Sequence, residues 1–152
     1  MPRVHFQVHT ELEAAAVVAA LTDFGPGRAD AWPNIDTAHL QLHESGPGWA
    51  EVTEGSSVAG GVWERSRYEW TDGGRVSAVT LDSNTWAPGS RWDYLLTPAA
   101  GGGTDVDVQV LRIGRGAKGR LVGAFIALFG ARRLRGDMEK ALARVAAARG
   151  AD

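Results

Sequence analysis

The stretch that most limits how this chain can fold is its last long one, from Gly119 to Ala148. It holds no proline, and Leu121, Phe125, Leu128, Leu134, Met138, Leu142 and Val145 recur at steps of three or four residues, with one step of six. That is the periodicity of a helix. At ~1.5 Å per residue such a helix is roughly 45 Å long, more than one packing face of a small domain requires. Something must wrap it. Between Thr37 and Arg112 the chain reads as short alternating strands. The expected fold class is therefore α+β: a curved antiparallel sheet of about seven strands with two short helices, wrapped around the C-terminal helix and leaving a space between the layers.

Taken in order, Val4, Phe6 and Val8 alternate with His5, Gln7 and His9, which predicts a half-buried strand. Thr10 and Glu13 have capping-box spacing, so a helix is expected over Glu11 to Thr22, ended by Gly25-Pro26-Gly27. A helical turn over Arg28 to Trp32 follows, closed by Pro33. Strands are expected from Ala38 to His43, Trp49 to Thr53, Val62 to Trp70, Arg75 to Asp82, Arg91 to Thr97 and Thr104 to Val110. Thr71-Asp72-Gly73-Gly74 reads as a hairpin turn. In the last strand Val106, Val108 and Val110 face inward, and Asp105, Asp107 and Gln109 face water.

Residues 1–152 fit a single domain, with no internal repeat and no linker. A formal net charge of −2 gives no electrostatic reason to expect nucleic acid as a partner. The absence of cysteine excludes a disulfide framework, a thiolate metal site and a cysteine nucleophile. The start, MPRVHFQVHTELEAAA, lacks the profile of a signal peptide, so a cytoplasmic protein is expected. The longest uncharged apolar run, Leu121 to Ala131, is about half of what a bilayer span takes. His5 with His9, and His39 with His43, are spaced for one face of a helix but sit on expected strands, where that spacing covers about 13 Å. No metal is therefore expected, nor any other cofactor. There is no Gly-x-Ser-x-Gly elbow. The run Gly114 to Gly119 is not a phosphate loop but a flexible lead-in to the last helix.

The chain resembles the START-like, or SRPBCC, superfamily, which includes the Bet v 1 allergens, lipid-transfer START domains and bacterial polyketide cyclases. The likeness is carried by Phe6-Gln7-Val8-His9 leading into Ala14 to Asp23, the Trp32-Pro33 pair, the Glu69-Trp70 strand end, the order of elements and the terminal helix. It implies a deep cavity between sheet and helix for an apolar or aromatic ligand. Matching Glu69-Trp70 to the family pattern turns Arg65 and Arg67 toward that cavity, beneath Trp63. Arg67 is then the expected polar anchor, a planar, always charged donor suited to an enolate or carboxylate oxygen. Trp32, Trp63, Trp92 and Tyr94 are the aromatic wall candidates. Leu121, Phe125, Leu128 and Phe129 are expected to close the other wall. The opposing expectation puts both arginines on the solvent face, paired with carboxylates.

Three functions follow as expectations. The first is a binding protein for a hydrophobic or aromatic small molecule, lipid or polyketide-like. The second is a polyketide cyclase or aromatase, with Arg67 stabilising an enolate and Tyr94 or Ser66 moving protons. The third is a protein-interaction module. One charge feature adds to these. Arg112, Arg115, Lys118, Arg120, Arg132, Arg133 and Arg135 bracket an apolar run with no acid among them, which is either a solvated helix with snorkelling arginines or a surface for transient contact with an anionic membrane.

Overall fold

The computed structural model describes residues 2–57, 60–71 and 74–150. Seven strands form one antiparallel sheet: β1 (Arg3–Thr10), β2 (Gln41–Gly46), β3 (Trp49–Ser56), β4 (Val62–Thr71), β5 (Arg75–Ser83), β6 (Arg91–Pro98) and β7 (Thr104–Leu111), in the order β1-β7-β6-β5-β4-β3-β2. Each hairpin pairs with the next, and β1 closes back on β7, with Val4, Phe6 and Val8 directly opposite Val110, Val108 and Val106. Three helices complete the fold, α1 (Ala14–Thr22), α2 (Arg28–Ala31) and the 35-residue α3 (Gly116–Gly150). This is the α+β helix-grip arrangement that the pattern of elements predicts.

Local differences have local causes. The capping box does not form, because β1 runs on through Thr10, which pairs with Thr104; the Thr10 hydroxyl accepts from the Leu12 N–H instead. The helix therefore begins at Ala14, with Glu13 as a cap whose side chain makes no capping bond. Thr37–His39 is a 3-10 turn rather than strand, with the His39 N–H donating to the Asp36 carboxylate, and β2 begins at Gln41. The expected hairpin turn at 71–74 lies partly outside the described residues.

The core side of the sheet is set by β1 and β7, whose valines are buried in strict alternation. Against them pack Val17 and Leu21 of α1 and Met138, Ala141 and Leu142 of α3. At ~1.5–3 kcal/mol per buried aliphatic side chain, this cluster is the main support of the fold. Helix α3 lies chiefly on β1, α1 and α2.

Its closest approaches are made by glycines. A Cβ on Gly119 would sit 2.3 Å from the Thr85 carbonyl oxygen, and one on Gly123 would sit 3.3 Å from the Pro2 ring. Glycines thus turn inward along the first half of α3 together with the partly buried Ile126, while Leu121, Phe125, Leu128 and Phe129 turn out. The wall expected of Leu121, Phe125, Leu128 and Phe129 is not formed: these four side chains are exposed. The six-residue step between Leu128 and Leu134 is where the apolar stripe changes face, since Leu134, Met138, Leu142 and Val145 all pack inward.

The lead-in to α3 is also better anchored than a flexible loop. Arg115 bonds Asp82 and the Ser83 carbonyl, Lys118 bonds the Gly61 carbonyl, and the Ala87 and Arg115 N–H groups bond the Ile113 and Thr85 carbonyls.

Candidate ligand site between sheet and helices

Across the sheet centre the inward rows can be read from the register. Ala50, Tyr68, Ala78, Trp92 and Val110 form one row, and Trp70, Val76, Tyr94 and Val108 the next. Ser66 and Thr80 pair in a third row with Val52. Alternation then puts Glu64 inward on β4 and Glu54 inward on β3, directly opposite each other.

Two carboxylates facing each other on adjacent strands repel unless each is neutralised. Each is, by an arginine from a different end of the chain. Arg28, at the start of α2, donates from Nε to Glu54 at 2.8 Å, and from Nη1 to the Leu21 and Asp23 carbonyls at 3.0 Å each. The Tyr68 hydroxyl donates to Glu54 and accepts from Arg28. Phe24 lies under the guanidinium, 4.7 Å from ring centroid to Cζ. At the other end Arg112, just beyond β7, holds Glu64 with two bonds of 2.8 and 2.9 Å, and Thr80 donates to the same carboxylate at 2.8 Å. The Arg112 guanidinium sits between Trp86 and Trp92, at 5.1 and 5.2 Å.

These surroundings fix protonation. Burial pushes the Glu64 carboxyl up, but the Arg112 charge and the bonds from Arg112 and Thr80 outweigh it, so Glu64 lies below its ordinary value and stays ionised. Burial likewise opposes the Arg28 charge, and Glu54 overcomes it, leaving Arg28 more firmly protonated. The Tyr68 and Tyr94 phenols are pushed up, first by burial. Both are therefore donors at neutral pH.

Between the two ion pairs the inward face is not filled. Tyr68 and Trp92 point to the core side yet are only half-buried, which leaves open space in front of them, whereas the equally half-buried Trp70 borders a surface groove with Trp49 and Arg67. The Tyr94 and Ser66 hydroxyls add to this. Neither makes a hydrogen bond among the described residues, while no buried side-chain polar atom there is both shut off from solvent and unpartnered. Both oxygens must then be reached by solvent from the interior side. Trp92 and Tyr94 stack with centroids 6.1 Å apart and planes 13° apart, so the Tyr94 hydroxyl stands in an aromatic wall.

The sequence-expected residues divide accordingly. Ser66, Tyr94 and Trp92 all face inward, but Ser66 on β4 lies two strands from the Trp92–Tyr94 pair on β6 and two rows from Tyr94, and Trp32 is buried beside Arg28. Arg65, Arg67 and Trp63 have the opposite parity on β4 and lie on the outer face, so the cavity placement given to them is corrected. Arg65 pairs with Glu51 at 2.9 Å. Arg67 pairs with Glu69 at 2.8 Å and covers the Trp49 ring at 4.4 Å. The physical reason is the anchor chosen: Trp70 itself faces inward, so every second residue from it, Tyr68, Ser66 and Glu64, does too. Arg28, Glu54, Glu64 and Arg112 were missed. Arg112 was nonetheless in phase with Val106, Val108 and Val110, the cleanest alternation in the chain. Both expected histidine pairs are on or beside strands; His5 bonds Asp107, and His9 bonds Asp105 and Glu11.

Comparison with known proteins agrees with this fold. The model of the family described as polyketide cyclase / dehydrase and lipid transport matches residues 1–149. The chain belongs to that family. Among solved structures, this family member is similar in fold to the protein TTHA0849 from Thermus thermophilus, with a TM-score of 0.78 and 14% identity over 97% of this chain and 99% of the other. The Zhui aromatase/cyclase of a Streptomyces species gives 0.77 and 15% identity over 94% and 92%. A START superfamily protein from Mycobacterium smegmatis gives 0.74 and 12% identity over 94% and 98%. No curated protein matches the sequence. Among the described residues of this polyketide cyclase / dehydrase and lipid transport family member, no helix is long and apolar enough to cross a membrane.

Proposed function

We propose that the protein binds a hydrophobic or aromatic small molecule, lipid or polyketide-like, in the hollow between β4–β6 and the helices. One observation carries this reading: the Tyr94 hydroxyl stands in an aromatic wall and, like the inward-facing Ser66 hydroxyl, has no partner among the described residues. A ligand gains by leaving water for an aromatic wall, and one polar atom on it gains orientation from these donors. Family membership supports the same chemistry.

Native mass spectrometry of freshly purified protein should show a co-purifying small molecule. Quenching of tryptophan fluorescence by an aromatic probe should follow occupancy of the hollow. Loss of one neutral hydrogen bond is worth ~0.5–1.5 kcal/mol, so Tyr94→Phe should weaken that probe by about two- to tenfold. Trp92→Ala should weaken it further. Probe affinity that neither substitution changes would remove the hollow as the binding site.

A cyclase or aromatase reading has its own support. Tyr68 links Glu54 and Arg28 in one hydrogen-bonded group on the inward face, and its phenol and that of Tyr94 are held protonated. In this reading Tyr94 donates to a developing enolate oxygen, in place of Arg67. Both arginines that do lie inside, Arg28 and Arg112, are already neutralised by carboxylates. The two readings separate on turnover. With a poly-β-ketone substrate, Tyr94→Phe should abolish cyclisation while leaving substrate binding within about tenfold if the protein is an enzyme. A carrier should show no turnover before or after the change.

A further inference from the structure

The outer face of the first half of α3 takes no part in the hollow, and it carries four of the seven exposed large hydrophobic side chains among the described residues. Leu121, Phe125, Leu128 and Phe129 are 73, 57, 76 and 57% exposed. Their spacing puts them on one stripe about two turns long, and the Phe125 and Phe129 rings touch at 5.2 Å between centroids. Glycines facing the sheet explain how the stripe came to point outward; they do not explain why its residues are large and apolar. Four such side chains on one stripe of a surface helix call for an occupant.

The charge around the stripe indicates which one. From Val108 to Gly136 the chain has no acidic residue. Three of the basic residues there are held by the fold itself, Arg112 by Glu64, Arg115 by Asp82 and Lys118 by the Gly61 carbonyl. Arg120 and Arg132, beside the stripe, have no ion pair among the described residues. An open groove of about 1170 Å³ runs along the stripe between α3 and β1, with Phe125, Leu128 and Phe129 on one side and Arg3, Arg132 and Lys140 at its margins; Asp137 is the single acid there. Asp137 is partly engaged, 3.5 Å from Arg133.

We infer that this face docks on the surface of an anionic bilayer. Protruding leucine and phenylalanine side chains would enter the acyl boundary, while Arg120, Arg132, Arg3 and Lys140 meet lipid phosphates at headgroup depth. A bilayer offers the apolar layer and the anionic layer in that order, matching an apolar crest with basic shoulders. The inference does not depend on what occupies the hollow.

Flotation with vesicles of phosphatidylcholine mixed with phosphatidylglycerol, against phosphatidylcholine alone, tests it. The protein should float with the anionic vesicles and be released by high salt. Phe125→Ser/Leu128→Ser should lower binding about tenfold or more, and Arg120→Glu/Arg132→Glu by a similar factor. All four positions are exposed, and an unchanged melting temperature would establish that both variants fold. Failure to float with anionic vesicles at low salt overturns the inference. So does flotation that survives the serine pair, because it would be charge adhesion alone. A dimer that the serine pair dissolves, without vesicle binding, would assign the face to a second copy of the chain and overturn it equally.

Discussion

Four arginines near the middle of this molecule make contrasting use of the same side chain. Arg28 and Arg112 have side chains only 4 and 6% exposed, and each is locked to a glutamate that faces another glutamate across two strands. Arg65 and Arg67 stand on the outer face of β4, 43 and 38% exposed, sharing Glu51 between them. The inner pairs exist because a carboxylate pointing into the sheet must be neutralised where water is scarce. The outer pairs exist where water already screens both partners. A buried cation is thus no sign of an anion site here, since its partner is built in. The groups left with capacity for a ligand are neutral hydroxyls.

The largest expected effect is on the inner side. Arg112→Met leaves Glu64 charged with only the neutral Thr80 hydroxyl to hold it and should cost ~3–5 kcal/mol in urea unfolding. Adding Glu64→Leu to make the double variant should restore most of that loss, because a well-packed apolar pair can replace a buried ion pair at little cost. A single variant close to wild type would place the pair in solvent and break the contrast.

Acid should expose the same difference more gently. Glu64 titrates below its ordinary value of 4.5 in the folded protein. Its contribution to stability is therefore fully present above pH ~4.5 and is lost as pH falls through the lower folded value. Asp107, held low by bonds from Gln7 and His5, adds a loss in the same direction. Comparing unfolding free energy at neutral pH and below the ordinary carboxylate range should show a smaller acid loss in Arg112→Met/Glu64→Leu than in wild type. Equal losses would mean that Glu64 does not sense Arg112.

What could be read from the sequence follows the strength of each pattern. Strict alternation located β1 and β7, and thirty residues of helical spacing located α3, because both patterns report one buried face over many residues. Strand β4 has no such pattern: Trp63, Arg65 and Arg67 on one face and Glu64, Ser66, Tyr68 and Trp70 on the other are both mixed. Its facing is decided by neighbours, Val52 and Ala50 on β3 and Thr80 and Ala78 on β5, through pairing that no local stretch encodes. The same holds for the partners of Arg28 and Arg112, which lie 26 and 48 residues away. The facing of α3 was closer to hand. Its six-residue step marks the change of face, and the glycines at 119, 123 and 130 mark the side that approaches the sheet.

The smallest expected effect falls on the outer side. Arg67→Ala removes a half-exposed ion pair with Glu69, worth ~0–1 kcal/mol, and a contact over Trp49, worth ~0.5–1 kcal/mol at an exposed site. Urea unfolding should therefore shift by no more than about 2 kcal/mol, and the electrostatic part should shrink in high salt. Binding of an aromatic probe in the hollow should be unchanged, since the Arg67 guanidinium lies across the sheet from the Tyr94 and Ser66 hydroxyls. If instead Arg67→Ala weakened the probe as much as Tyr94→Phe does, the ligand would have to reach the outer face of β4, and the division between neutralised inner cations and solvated outer ones would no longer describe how this sheet handles charge.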